Sequence, residues 1–190
     1  MAAELGCGSS GDGWRARLTL AFARKGGRTV PVQRSHFGPL MVQSPFYPEG
    51  AVCHMYLLHP PGGVAGGDLL QLDVVVGEGG EVLLTTPSAT KVYRSVGKRS
   101  RINQSLRAKS GATIEWLPQE TIVFSGADAR SATRFELESG ARFGVDGPRG
   151  PAHVALSKKM IGHRTQTSVL PACQSYRAGP LDGMSGMVGR

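Results

Sequence analysis

The chain has 190 residues, 40% of them hydrophobic, which suits one domain with a packed core and excludes a fully disordered protein. Its 27 glycines and 12 prolines, about a fifth of the residues, are scattered without a collagen period and oppose a long helical bundle. The formal net charge of +8 permits contact with nucleic acid, anionic lipid or an acidic protein and selects none of them.

Residues 1–12 read as a flexible N-terminus, crowded with Ser9, Ser10 and Gly11. From 14 to 22, apolar and polar residues alternate, and Trp14, Leu18, Leu20 and Phe22 share one strand face. Lys25-Gly26-Gly27-Arg28 turns the chain into a return strand over 29–33. Residues 34–48, with Pro39, Pro45 and Pro48, read as irregular. Residues 52–58 form an apolar strand that His59-Pro60-Pro61-Gly62-Gly63 ends, because proline cannot donate to a ladder. After the turn Gly66-Gly67-Asp68, Leu70, Leu72, Val74 and Val76 line one face of a strand over 69–76. Further short strands are expected at 81–86, 92–94, 101–108, 112–117, 121–124 and 131–137, each bounded by Gly, Pro or Ser. Residues 125–131 are the one short helix candidate in this region. Short strands with regular turns predict a mostly β protein: a sandwich, a barrel or a layered β solenoid.

The pattern changes near residue 144. Residues 146–190 hold six basic side chains against Asp146 and Asp182. Only 154–161 reads there as a short helix, and the span 144–190 is expected to be a poorly ordered, divergent tail. Cys7, Cys53 and Cys173 lie far apart, which disfavours zinc ribbons and disulfide scaffolds. No signal-type leader and no 18-residue apolar run is present, so the expected location is a reducing cytoplasm with no membrane partner.

Recognisable catalytic chemistry is missing from the sequence. No Gly-x-Ser-x-Gly elbow occurs, and the glycine doublets around 62–67 lack the Lys-Ser/Thr ending of a phosphate loop. Glu115 and Glu120 flank Trp116-Leu117-Pro118 without a reason to converge. Cys53, His54 and His59 offer donors that suit nickel, zinc or copper, yet strand geometry sends Cys53 and His59 to one face and His54 to the other. A buried cysteine beside hydrogen-bonded histidines and a transient metal contact both remain open. Asp68 is either a turn residue or a carboxylate at a rim. Thr85, Thr86, Ser88, Thr90 and Lys91 bind an anion, meet a partner's carboxylates or simply cap a turn. Lys98-Arg99-Ser100-Arg101 is the densest basic stretch, but no aromatic interleaves it, so nucleic acid is not expected as the main partner. The residues alone therefore point to a non-enzymatic β protein that binds.

Four strings carry a resemblance. Arg34-Ser35-His36-Phe37-Gly38-Pro39-Leu40 with Pro45-Phe46-Tyr47-Pro48-Glu49-Gly50 is similar to the UreD (UreH) family of urease accessory proteins. So are Cys53-His54-Met55-Tyr56-Leu57-Leu58-His59-Pro60-Pro61-Gly62-Gly63 with Gly66-Gly67-Asp68, 84–94, and Glu115-Trp116-Leu117-Pro118-Gln119-Glu120-Thr121-Ile122. The resemblance covers residues 13–143 and implies an all-β, layered, solenoid-like fold with few short helices. It implies a cytoplasmic chaperone that scaffolds apo-urease with UreF and the GTPase UreG while nickel is installed. No tightly bound cofactor is implied, only nickel in transit. Within the family motifs, Cys53, His54, His59, Asp68 and Glu120 are candidates for transient nickel contact. Thr86, Lys91, Tyr93 and Arg94 are candidates for partner contact.

The sequence departs from the family in two ways. Met41 stands where a basic residue is common, and the match dissolves after Gly144, where the family continues with more strands. Residues 144–190 read as unrelated sequence of the kind a frameshift produces, or as a genuine divergent tail, so the β domain is expected to be incomplete at its C-terminal side. A chain cut short in this way would expose a sheet edge and be marginal or inactive in urease activation.

Overall fold

The computed structural model describes residues 13–145, 156–161 and 164–177. Among them the strands are β1 (Arg15–Lys25), β2 (Arg28–Phe37), β3 (Met41–Val42), β4 (Cys53–Leu58), β5 (Leu69–Val76), β6 (Glu81–Thr85) and β7 (Thr90–Val92). They continue with β8 (Ser100–Ala108), β9 (Thr113–Leu117), β10 (Thr121–Val123), β11 (Asp128–Leu137), β12 (Arg142–Val145), β13 (Leu156–Ile161) and β14 (Arg164–Arg177).

A seven-stranded sheet runs β13-β14-β11-β8-β5-β1-β2, a five-stranded sheet runs β12-β9-β6-β4-β3, and β10 pairs with β7. β1, β5, β8 and β11 are parallel neighbours, as are β4, β6, β9 and β12. From β4 to β12 the chain steps back and forth between the two large sheets and visits the small one twice. Antiparallel pairs flank these parallel cores: β2 on β1, β3 on β4, and β14 on β11.

Alternation explains which side chains meet. Ala16, Leu18, Leu20 and Phe22 on β1, and Leu70, Leu72, Val74 and Val76 on β5, are all buried. Leu106 and Ala108 on β8 and Phe135 and Leu137 on β11 extend the same face. The other sheet contributes Cys53, Met55 and Leu57 on β4, Val82 and Leu84 on β6, and Ile114 and Trp116 on β9 to one continuous cluster. Thr29 is a buried polar tie: its Oγ1 accepts the Glu81 N–H at 2.8 Å, and its own N–H donates to Ala51 O at 2.9 Å. The β1–β2 hairpin closes through Gly26 and Gly27, both at positive φ, as a two-residue turn between right-twisted strands requires.

Several expectations need correction. Trp14 does not join the β1 core face; it precedes the strand and is 56% exposed. The 34–48 stretch is not wholly irregular, because β2 runs to Phe37 and β3 pairs with β4. Val32 is the extra residue that lets β2 pass Pro31: Ala21 pairs with Gln33 and Phe22 with Pro31. No helix occurs among the described residues. The helix candidate at 125–131 is a turn followed by the start of β11, since pairing with β8 outweighs a weak local propensity. The helix expected at 154–161 is β13 over its described part, paired with β14. β14 crosses Pro171 where its register with β11 shifts, a place that tolerates a missing donor. Residues 1–12 and the remainder of 144–190 lie outside the described residues.

Phe22, 2% exposed in the middle of the joined core, should be sensitive to truncation. Phe22→Ala is expected to cost about 3–5 kcal/mol, read from the urea midpoint at unchanged m-value.

Candidate functional site

The loop from His59 to Asp68 joins the end of β4 to the start of β5. Asp68 is 2% exposed, and each oxygen of its carboxylate accepts a backbone N–H. Its Oδ1 accepts the Trp14 N–H at 2.7 Å, and its Oδ2 accepts the Ala65 N–H at 2.7 Å. The Asp68 carbonyl accepts the Arg101 N–H at 2.7 Å. One residue thus pins the approach to β1, its own loop and the start of β8. A hydrogen-bonded carboxylate in this position is a structural strap.

His59 lies nearby. Burial pushes its imidazole below its ordinary value, with the Asp68 charge acting in the opposite direction. Its Nε2 is buried without a hydrogen-bond partner. His54, on the outer face of β4, is also buried, and its Nε2 likewise lacks a hydrogen bond. The Glu49 Oε1 stands 3.8 Å away, and the Phe46 ring lies tilted against the imidazole at 5.4 Å. Phe46 in turn stacks on Tyr56. Cys53 points the other way, into the core. Burial pushes its thiol up, partly opposed by the hydrogen bond with Tyr47. The Tyr47 ring carries the Arg28 guanidinium at 4.8 Å from its centre.

Glu120 is exposed in the link between β9 and β10, where its carbonyl accepts the Thr90 N–H at 2.9 Å. The structure therefore brings His59 and Asp68 into one loop and separates Cys53 from His54 across β4. Among the described residues, no group of three or more His, Cys, Asp or Glu side chains is arranged to hold a metal ion.

The second set sits on β7 and its flanks. Val92 turns inward onto Val123, Ala127 and Ala129, forming a small core of its own. Parity then sends Lys91 and Tyr93 outward. The parallel register puts Ile122 beside Lys91, and the Tyr93 ring stacks on Phe124 at 5.5 Å and 21°. Tyr93 is 38% exposed, and Ile122 and Phe124 are 42% exposed each. Gly63 leaves the space this ring fills, because a Cβ there would collide with Tyr93. Lys91 and Arg94 are exposed around these rings, whereas Thr86 Oγ1 is engaged by the Gln119 N–H at 2.9 Å. Sequence reasoning missed Ile122 and Phe124. Residues 121–124 are apolar at three consecutive positions, so their outward face was undefined until the partner strand β7 set it.

The model for the UreD urease accessory protein family matches residues 14–146. A urease accessory protein UreD from Pseudomonas putida strain W619 is 55% identical over 130 residues, covering 68% of this chain and 47% of that protein. The UreD of Alkalilimnicola ehrlichii is 58% identical over 130 residues, covering 68% and 44%. The UreD of Vibrio parahaemolyticus is 51% identical over 135 residues, covering 71% and 48%. The chain spans less than half the length of these curated relatives.

Two outcomes follow from the buried loop. Asp68→Ala should cost about 1–3 kcal/mol by leaving part-buried N–H donors without an acceptor, with Asp68→Asn losing less, both measured by urea unfolding. His59 is depressed in the folded state, so its contribution to stability is complete above about pH 6.5 and falls as acid drives the unfolded imidazole to bind its proton first. Melting temperature should drop from pH 7 to pH 5, and His59→Asn should make that drop shallower.

Proposed function

Because the chain belongs to the UreD family of urease accessory proteins, whose members are accessory proteins and not enzymes, we propose that it is a non-catalytic scaffold in urease maturation. In this reading it holds apo-urease together with UreF and the GTPase UreG in the cytoplasm while the nickel centre is assembled. The alternation of the chain between two parallel sheets supports the layered, solenoid-like arrangement expected for the family. The β domain of 13–143 is the part that carries this role.

The observation that carries the reading is the outward face of β7 and β10. Two stacked rings and an isoleucine are held open to solvent beside Lys91 and Arg94. Aromatic anchors with an arginine rim are the composition of protein interfaces, where a few such residues dominate affinity. Thr86, Lys91, Tyr93 and Arg94 are the partner contacts in this proposal, extended by Ile122 and Phe124. Thr86 acts through the Gln119 backbone it holds.

Nickel is cargo in this scheme. Of the five polar candidates, His54 and His59 have buried Nε2 atoms with no hydrogen bond to give up. Asp68 has both oxygens engaged, Cys53 faces the core with a raised thiol, and Glu120 stands exposed. Transient nickel contact is therefore assigned first to the two histidines, since imidazole suits a nickel ion in exchange.

The test is co-expression with the urease subunits, UreF and UreG under nickel supply. The wild-type chain should co-purify with UreF or apo-urease, and Tyr93→Ala with Phe124→Ala should reduce recovery about tenfold or more. His54→Ala with His59→Ala should lower nickel-dependent urease activity and leave co-purification intact. A wild-type chain that captures none of these partners, although folded, would overturn the scaffold reading.

A further inference from the structure

The second half of β2 has no part in that reading. The string Arg34-Ser35-His36-Phe37 forms the end of this ten-residue strand, at the margin of the seven-stranded sheet. β2 ladders with β1 on one side, and no described strand covers its other side. Gln33, Arg34, Ser35, His36 and Phe37 are all exposed, so neither face of this stretch is covered. Their partners on β1 differ: Leu20, opposite Arg34, and Leu18, opposite His36, are fully buried. The core therefore stops at β1 in this part of the sheet, while β2 runs on beside it. A long, uncovered edge strand is a ready template for another chain.

Backbone direction defines the free groups. In an antiparallel ladder successive residues turn their N–H and C=O alternately towards and away from the partner strand. The Phe22 carbonyl is turned to β5, where it accepts the Gly77 N–H at 2.8 Å, so its partner Pro31 faces away from β1. Leu20 and Leu18 follow along β1 at the same parity, which turns the N–H and C=O of Arg34 and His36 to the open edge. Pro31 has no N–H to offer there, and the extra residue Val32 interrupts the ladder beside it. Gly38, at positive φ, turns the chain away at the other end. The receptive edge is thus a bounded window over 33–37.

Directly opposed residues share a face, so a guest residue opposite Arg34 or His36 lies beside that side chain. Among the described residues no carboxylate pairs with either of them, whereas Arg17 on β1 is met by Asp73 at 3.1 Å. Glu49, the acidic residue between β2 and β4, stands instead 3.8 Å from His54. The guest residue between the two falls on the other face, next to Phe37, which is 65% exposed.

We propose that the β2 edge over 33–37 receives an extended segment of a protein partner as an added strand, with acidic residues opposite Arg34 and His36 and an apolar residue between them. Main-chain hydrogen bonds give such an addition its affinity, and alternate side chains its selectivity. A second copy of β2 would set Arg34 against Arg34 or His36, basic side chains opposite one another. Residues 1–12 carry Glu4 and Asp12, and residues 146–190 carry Asp146 and Asp182, so neither span holds two acidic residues two positions apart. β2 lies outside the β7–β10 sheet, so this edge is independent of the Tyr93 face.

The experiment follows the fluorescence anisotropy of a labelled peptide, Gly-Glu-Ile-Glu-Val-Glu-Gly, titrated with the full chain. A peptide of the same composition with its three glutamates adjacent should bind about tenfold more weakly, as should the alternating peptide N-methylated at its glutamate amides. Arg34→Glu should weaken the alternating peptide about tenfold, and exchanging its glutamates for lysines should restore binding to that variant. His36→Pro removes an outward N–H and no donor to β1, and should weaken binding to a similar extent. Thermal unfolding checks that each variant folds, and the N-methylated peptide tests the same hydrogen bonds on the unaltered chain should His36→Pro not fold. Tyr93→Ala with Phe124→Ala should leave peptide binding unchanged, which separates this edge from the scaffold contact. Equal binding of the alternating and clustered peptides, no peptide binding by the folded wild type, or a concentration-dependent dimer that His36→Pro abolishes would each overturn the proposal.

Discussion

A parallel strand cannot be joined to its neighbour by a tight hairpin, so β1, β5, β8 and β11 each need a return path outside their sheet. The same holds for β4, β6, β9 and β12. Each set supplies the return path of the other. This single constraint explains why apolar faces on strands distant in sequence meet in one core, and why the turns are crowded with glycine. It also fixes where exposed groups can appear: on outward faces, on the small β7–β10 sheet, and at the corners where strands begin.

One such corner depends on Asp68. Its carboxylate satisfies two backbone donors from separate segments, while its carbonyl receives a third from β8. Removing water from a carboxylate is costly, and paired hydrogen bonds offset that cost only while the three segments stay together. The corner therefore sets the entry of β1, β5 and β8 into their shared register. From that register comes the apolar face that β1, β5, β8 and β11 turn to the other sheet. Both oxygens of that carboxylate are engaged by backbone donors, whereas the Nε2 atoms of His54 and His59 are buried without a hydrogen bond.

Strands whose residues alternate strictly were readable from sequence. The span 69–76 is β5 as observed, and Leu70, Leu72, Val74 and Val76 all face the core. Alternation works there because one face of the strand meets the core while the other points away from it, and the period is uninterrupted. It failed where a long-range partner decides the outcome. β2 extends through 34–37 because β1 is long enough to pair with it, a fact that Pro31 within the strand and the prolines after it conceal. Residues 156–161 carry a weak helical pattern but are held as β13 by β14. The candidate site shows the same division. Tyr93 was visible as a motif residue, but its stacking on Phe124 arises from the pairing of β7 with β10, and no local pattern encodes that pairing. Asp68 was visible as a carboxylate after two glycines; that Trp14 would consume one of its oxygens was not.

The two large sheets end differently on the side away from β2 and β3. In the seven-stranded sheet β11 is followed by β14 in antiparallel orientation, although β11 meets β8 in parallel. In the five-stranded sheet β12 is the last strand among the described residues, and it is short. An antiparallel hairpin needs no return path through the other sheet, so β13 and β14 extend one sheet without extending its partner. The alternation that governs β4 to β12 therefore stops after β12, close to residue 146, where the match to the UreD family also stops. Beyond that point the chain satisfies backbone hydrogen bonds along β11 but follows a different rule of connection. The β7–β10 pairing that creates the Tyr93 face lies on the side of that boundary where the alternating rule holds.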